Sequence, residues 1–365
     1  MKKIKFLIGA GGTGGHLFPA LAVVEKLLDI APDSEFYFAG REDKIEGEII
    51  PAKGFHFVPI QVDGFQGLSL NSLAIPFKIL RAKAKLNHLI RKENIDAVIC
   101  TGAYISYAPG LAAKSNKIPL FLLESNVNPG KTISLLSNSA SKIFTSYEKS
   151  SGFFNPAYLN KIVCTGNPLR KSLEDQISRE EALTALNLPT NQKTLLIFGG
   201  SLGARSINQA TEANINELLA LGINVIWQTG KNYAFSSNND FGLLVLNFID
   251  DMQLAYSAAD LVLCRSGATT VAELANVGKP SILVPLPSAS NNEQFMNAQI
   301  YQDNKAAILI EDNSVKSKMY DTVKKLINDN SLLEEYAIAA HKLAKPDAAR
   351  AVAKEIIYYL DEYGK

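Results

Sequence analysis

His16 closes a glycine-dense turn, Gly9-Ala10-Gly11-Gly12-Thr13-Gly14-Gly15-His16, set between an apolar run and a helical pattern over residues 17–28. Bare main-chain N–H groups at such a turn, backed by the positive end of a helix, suit a phosphate or another anion. An imidazole at that mouth, with an ordinary pKa of about 6.5, can take a proton from an attacking hydroxyl near neutral pH. The arrangement recurs where the apolar run 194–198 enters Gly199-Gly200-Ser201-Leu202-Gly203-Ala204-Arg205 and a second helical pattern. A third concentration of chemistry lies in Arg265-Ser266-Gly267-Ala268-Thr269-Thr270-Val271-Ala272-Glu273. Hydroxyls and free N–H groups there suit a diphosphate, and Glu273 suits the two hydroxyls of a ribose. Thr270 and Glu273 equally fit a helix-capping box, and spacing alone leaves both readings open. Downstream, the amides of Asn291, Asn292, Gln294 and Asn297 suit sugar hydroxyls as well as an ordinary polar loop.

Two rival chemistries share these motifs. Residues 9–14 match the dinucleotide fingerprint G-x-G-x-x-G after a strand. The second strand, however, ends in Ala39-Gly40-Arg41, without the acid that would hold an NAD ribose, which leaves an NADP-dependent oxidoreductase as the alternative. Residues 199–203 match the G-x-S-x-G nucleophile elbow. Its triad histidine would have to be His341, in a polar helical stretch, and a hydrolase gives the first half of the chain no task.

The elements that must position these groups are short apolar runs separated by helical patterns. They fall at 4–8, 35–39, 57–60, 97–100, 120–123, 142–145 and 161–164, and again at 195–198, 225–228, 243–246, 261–264, 281–284 and 307–310. Apolar runs without alternation predict parallel sheets covered on both faces. The predicted class is α/β, with two Rossmann-like, doubly wound domains facing a central cleft. Their boundaries are set at 1–165 and 166–346, with a final helix over 347–365 returning to the first domain.

A chain of 365 residues suits two such domains, and 47% hydrophobic with 20% charged residues is a globular composition. No apolar stretch approaches the ~20 residues of a membrane span. A formal charge of +1 gives no case for nucleic acid as a partner. Cys100, Cys164 and Cys264 each end an apolar run, which predicts three buried thiols and neither disulfides nor a metal cluster.

The ordered segments GGTGGHLFPALAV, GNPLR, GGSLGAR, FIDDM and CRSGATTVAELANVGKPSILVPLP resemble the MurG family over nearly the full length. The resemblance implies the GT-B glycosyltransferase fold, with transfer of N-acetylglucosamine from UDP-N-acetylglucosamine to the 4-hydroxyl of undecaprenyl-pyrophosphoryl-N-acetylmuramoyl-pentapeptide. It implies no cofactor and no metal, an inverting displacement, and His16 as base with Glu124 as its rival. It places Thr13, Gly14 and Gly15 beside the sugar and diphosphate, Asn126 on the donor sugar, and Arg170 and Ser201 on the UDP phosphates. Ile249 would meet the uracil, residues Ala268, Thr269, Thr270, Val271, Ala272 and Glu273 would cradle diphosphate and ribose, and Gln294 would address the N-acetylglucosamine hydroxyls. The chain departs from the family's usual HEQN at Leu123-Glu124-Ser125-Asn126, and from a glutamine pair at Glu293-Gln294. Acceptor diphosphate is expected near Thr101-Gly102-Ala103-Tyr104-Ile105-Ser106-Tyr107.

A lipid-linked acceptor implies a peripheral enzyme on the cytoplasmic face of the inner membrane, with possible partners among cell-wall synthesis proteins. Ile75, Ile79, Ala82, Leu86 and Leu89 share one helical stripe. With Phe65, Leu68, Leu70 and Phe77, and ringed by Lys78, Arg81, Lys83, Lys85, Arg91 and Lys92, they form the expected seat for anionic inner-leaflet lipid.

Overall fold

The computed structural model describes residues 3–64, 74–170, 177–235 and 241–363, so Phe65, Leu68 and Leu70 of the expected lipid seat lie outside the described residues. Two compact units form, one from residues 1–170 with 345–365 and one from 171–344.

The first unit holds strands β1 (Lys5–Gly9), β2 (Glu35–Gly40), β3 (His56–Pro59), β4 (Ala97–Cys100), β5 (Leu120–Glu124), β6 (Lys142–Thr145) and β7 (Ile162–Cys164). All pair in parallel in the order β3-β2-β1-β4-β5-β6-β7. Helices α1 (Gly14–Ile30), α2 (Ile45–Ala52), α3 (Ile75–Glu93), α4 (Tyr107–Asn116) and α5 (Lys131–Leu136) connect them. The pleat sends Leu7, Val98, Cys100 and Leu120 into one core and Phe6, Ile8, Ala97, Ile99 and Phe121 into the other. Each face therefore needs a helical cover, which is why neither polar nor apolar alternation marks the strands.

Helix α3 reads differently from the expected lipid stripe. Its Ala82 and Leu86, with Ile90, are buried in the core, and Leu89 packs against it. Burial of that face on the sheet leaves Phe77 and Leu80, 75% and 60% exposed, as its outward apolar residues. Cys164 also departs from expectation: it ends the edge strand β7 and is exposed, whereas Cys100 and Cys264 are buried.

The second unit repeats the winding with β8 (Thr194–Phe198), β9 (Asn224–Gln228), β10 (Leu243–Leu246), β11 (Leu261–Cys264), β12 (Ser281–Leu283) and β13 (Ala307–Leu309), ordered β10-β9-β8-β11-β12-β13. Its helices are α6 (Arg179–Ala185), α7 (Arg205–Leu219), α8 (Met252–Ala258), α9 (Ala268–Asn276), α10 (Glu293–Asp303), α11 (Val315–Ile327) and α12 (Asn330–Lys342). Trp227 is fully buried against this sheet, and its indole N–H donates to Asn208 Oδ1 at 3.1 Å, so the one polar atom of that ring is satisfied. Helix α13 (Ala348–Tyr363) then returns to the first unit, where Val352, Ala353 and Ile356 join the core under α1.

Candidate active site

In each unit the winding reverses between two neighbouring central strands, β1 and β4 or β8 and β11. A doubly wound sheet opens a crevice at the carboxyl ends of such strands. Both glycine loops lie there.

The first loop is not an empty anion cradle. Its Gly12 N–H donates to Glu46 Oε2 at 2.9 Å, and the Arg41 N–H at the end of β2 donates to Glu46 Oε1 at 3.0 Å. Glu46 is fully buried. Gly11 and Gly12 hold φ of +146° and +80°, and a Cβ on Gly11 would overlap the Glu46 carboxyl. Gly40 is likewise glycine because a Cβ there would overlap Glu46 Cγ. The dinucleotide reading fails on the same atoms. Glu46 already takes the Gly12 N–H, a donor the loop would offer a pyrophosphate, and the Arg41 guanidinium is committed to Asp43, Asp63 and the Val62 carbonyl. Of the fingerprint glycines, Gly11 makes room for this internal carboxylate, whereas Gly9 and Gly14 make room for Pro109 and Phe18.

Thr13 is the N-cap of α1, followed by Gly14, Gly15 and His16 in its first turn. The His16 ring is fixed by Thr101, which follows β4. Nδ1 lies 2.7 Å from the Thr101 carbonyl oxygen, and the Thr101 hydroxyl donates to the His16 carbonyl at 2.8 Å. A carbonyl can only accept, so Nδ1 carries the proton and Nε2 keeps a lone pair. Burial holds the His16 pKa below 6.5, against a smaller upward pull from Thr101. The neutral ring is thus the stable form at neutral pH, with its basic nitrogen turned away from the anchoring bond.

Glu124 ends β5 and is 5% exposed. Its Oε1 accepts from Asn126 N at 2.8 Å and Asn126 Nδ2 at 3.3 Å, and its Oε2 accepts from Gly130 N at 2.8 Å. The carboxylate therefore shapes the 125–130 loop and orients the Asn126 amide. Ser125 Oγ donates to Asn167 Oδ1 at 2.7 Å, tying this loop to the GNPLR segment. Arg170, in that segment, lies over the Phe18 ring of α1 at 4.4 Å.

In the second unit Ser201 and Leu202 are exposed on the loop before α7. Gly203 and Gly230 allow two loops to touch: a Cβ on either would collide with the main chain of the other loop. His341, the histidine a hydrolase would require, is exposed at the end of α12 and packs near Gly278. After β11, Gly267 caps α9, so Thr270 lies inside the helix and the capping-box reading of Thr270 and Glu273 does not hold. Glu273 is 4% exposed, and its Oε2 accepts from Tyr256 Oη at 3.0 Å. Asp251 caps α8 by accepting from Leu254 N at 3.0 Å, which places that Tyr256. Ala268 and Val271 are buried, while Thr269, Thr270 and Ala272 are half-buried along the first turns of α9. Gln294, near the start of α10, accepts from Leu286 N at 3.0 Å through Oε1, and its carbonyl accepts from Ser266 Oγ at 2.8 Å. Beside it, burial pushes the Glu293 carboxyl up from its ordinary pKa.

Sequence reasoning passed over several residues that hold the carboxyl edge of each unit together. Glu46 carried no motif. Gln228, 3% exposed at the end of β9, donates from Nε2 to the Gly200 carbonyl at 2.8 Å and accepts from Ile249 N at 3.0 Å, spanning two of the expected donor loops. A buried amide closing the apolar run Val225-Ile226-Trp227 was the available signal. Arg265, 9% exposed, donates to the Val284 and Pro285 carbonyls at 3.1 Å and to Asp312 at 2.6 Å, fixing the turn into α9. Thr101 was named in its loop without a role.

Comparison with known proteins agrees with the fold. Residues 6–145 match the glycosyltransferase family 28 N-terminal domain and residues 194–352 its C-terminal domain. A Flavobacterium psychrophilum protein named UDP-N-acetylglucosamine--N-acetylmuramyl-(pentapeptide) pyrophosphoryl-undecaprenol N-acetylglucosamine transferase is 37% identical, with 98% of each chain covered. Its namesake from Parabacteroides distasonis is 36% identical, covering 99% of this chain and all of that one. The crystal structure of Acinetobacter baumannii MurG superposes with a TM-score of 0.75 at 28% identity, covering 98% of this chain and all of that one. A UDP-GlcNAc 2-epimerase from Neisseria meningitidis bound to UDP-GlcNAc, at 15% identity and TM-score 0.71, shares the fold alone. With a GT-B-like pair of parallel-sheet units and both family 28 domains in order, the chain belongs to the MurG family of N-acetylglucosaminyltransferases.

Proposed function

We propose that the chain transfers N-acetylglucosamine from UDP-N-acetylglucosamine to the 4-hydroxyl of the N-acetylmuramoyl sugar of an undecaprenyl-pyrophosphoryl-linked pentapeptide, a glycosyl transfer of peptidoglycan synthesis. The attacking oxygen forms a bond to the anomeric carbon as the bond to UDP breaks, and the hydroxyl proton passes to His16 Nε2. The observation that carries this assignment is the tautomer: Thr101 holds the proton on Nδ1, and burial keeps the ring neutral. Glu124 has main-chain N–H groups on both oxygens, so we assign it to positioning Asn126.

The donor-binding roles of the second unit follow its carboxyl edge. Ser201 and the loop before α7 meet a phosphate, α9 presents its N-terminus and Thr269 to the diphosphate, and Glu273 receives the ribose. Ile249 faces the uracil, with its N–H engaged by Gln228. Gln294, Asn126, Arg170, Thr13, Gly14 and Gly15 keep the sugar and phosphate roles that the family resemblance implies. The test is UDP release by the full chain with and without a lipid-linked acceptor, alongside His16→Ala. Turnover should need the acceptor and fall sharply in the variant while UDP-N-acetylglucosamine still binds. Acceptor-independent release, or a variant as active as the parent, would overturn the reading.

The acceptor's lipid calls for a membrane seat, and among the described residues no helix is long and apolar enough to cross a bilayer. Phe77 and Leu80 on α3, with the exposed Arg81 beside them, are the seat proposed for anionic lipid on the cytoplasmic face of the inner membrane.

A further inference from the structure

We infer that Glu46 is a positioning residue for the transfer: its carboxylate is an anion built into the chain that occupies the seat of the first glycine loop and so fixes where His16 is presented. The inference rests on the role proposed for His16 above.

Three segments form a seat for this one side chain. Gly12 and Arg41 each give a main-chain N–H to one carboxylate oxygen. Gly11 and Gly40 lack the Cβ that would overlap it. Its own helix, α2, contributes the positive end of its first turn, since Glu46 is the second residue in. Two charge-assisted hydrogen bonds and a helix end offset the cost of burying a carboxylate.

The route to His16 is short. Gly12 precedes Thr13, the N-cap of α1, and the N–H groups of His16 and Leu17 both meet the Thr13 carbonyl at 3.2 Å. A shift of the loop at Gly12 therefore moves the first turn of α1 against Thr101, the residue that sets the imidazole tautomer. A strand-to-helix glycine loop ordinarily offers its N–H groups to an external phosphate. Here the ordering anion is covalently attached, so the loop is shaped before any substrate arrives, and a substrate phosphate at this edge must use N–H groups beyond Gly12.

The experiment compares Glu46→Ala, Glu46→Gln and the parent in transfer to the lipid-linked acceptor, with donor KM and kcat read separately and melting temperature followed throughout. In E46A, kcat should drop on the order of 100-fold with donor KM unchanged, the scale of a slightly misplaced catalytic group. Sodium formate should recover kcat and melting temperature in E46A, saturably, while leaving the parent and H16A untouched. The E46Q amide fills the seat and points its own N–H at one of the two donors, so its kcat should stay low with or without formate. Parent-like kcat in E46Q, or a folded E46A whose kcat ignores formate, would overturn the inference. If E46A does not fold, E46Q decides alone: low kcat at unchanged donor KM supports the role, parent-like kcat refutes it. A parent that transfers nothing, or an H16A that transfers normally, would instead indict the parent reading, and the formate effect on E46A melting would still read the seat.

Discussion

Replacing Gln228 with Glu changes one buried atom from donor to acceptor. The parent amide gives a hydrogen bond to the Gly200 carbonyl at 2.8 Å and receives one from Ile249 N at 3.0 Å. A carboxylate keeps the second and loses the first, about 1 kcal/mol, and turns a negative oxygen toward an acceptor it cannot satisfy, a further 1–3 kcal/mol or so. Gly200 is half-buried, so water reaches its carbonyl and the lower end, about 2 kcal/mol in all, is expected. Protonation restores a donor, which raises the folded-state pKa of the new carboxyl above its unfolded value. The sign follows: the deficit is absent at acid pH, where both states are protonated, and grows as pH climbs through the raised folded pKa. Trp227, the single tryptophan, adjoins the site and is fully buried, so its fluorescence reports urea unfolding of the second unit directly. The Q228E midpoint should match the parent near pH 4 and fall below it at pH 8, with a raised KM for UDP-N-acetylglucosamine. Equal midpoints at pH 8, or a deficit that shrinks as pH rises, would refute the bridging role.

Four further outcomes are expected. His16→Ala should lower kcat by about 100- to 10,000-fold, the range of a lost general base. Because burial lowers the His16 pKa, the acid limb of the parent kcat/KM profile should fall below pH 6.5; a limb above that value would remove His16 as the base. Ala103 holds φ +52° and ψ 172°, a backbone conformation costly for any side chain, so Ala103→Gly should raise stability by about 1 kcal/mol after the added chain entropy is counted, measured as a urea midpoint. Phe77→Glu should reduce co-sedimentation with vesicles rich in anionic lipid and spare transfer to a short-chain, water-soluble acceptor; undiminished sedimentation would move the membrane seat elsewhere.

The strands were legible because burial on both faces leaves a strong mark, runs such as Ala97-Val98-Ile99-Cys100 and Leu261-Val262-Leu263-Cys264 that no amphipathic helix would tolerate. The glycine loops were legible as turns, and the polar helical setting of His341 already told against a nucleophile elbow at the second. What hid was the identity of the first loop's guest. Glu46 lies in the first turn of α2, where an acidic residue is unremarkable, and only the fold brings it beneath Gly11 and Gly40. The capping-box reading of Thr270 and Glu273 stayed open for a related reason: local spacing cannot tell that Gly267 already caps the helix. Periodicity found the apolar stripe of α3 and could not say whether sheet or lipid would cover it; Ala82 and Leu86 went to the sheet.

The return of α13 to the first unit makes residues 171–344 an insertion rather than a second half. The chain leaves near Gly166 and comes back at Lys345, so close that a Cβ on Gly166 would strike the Lys345 side chain. During synthesis the inserted unit is complete before the one it interrupts, whose α1 waits with an uncovered apolar flank until α13 is made. Truncation within α13 would thus damage the part translated first.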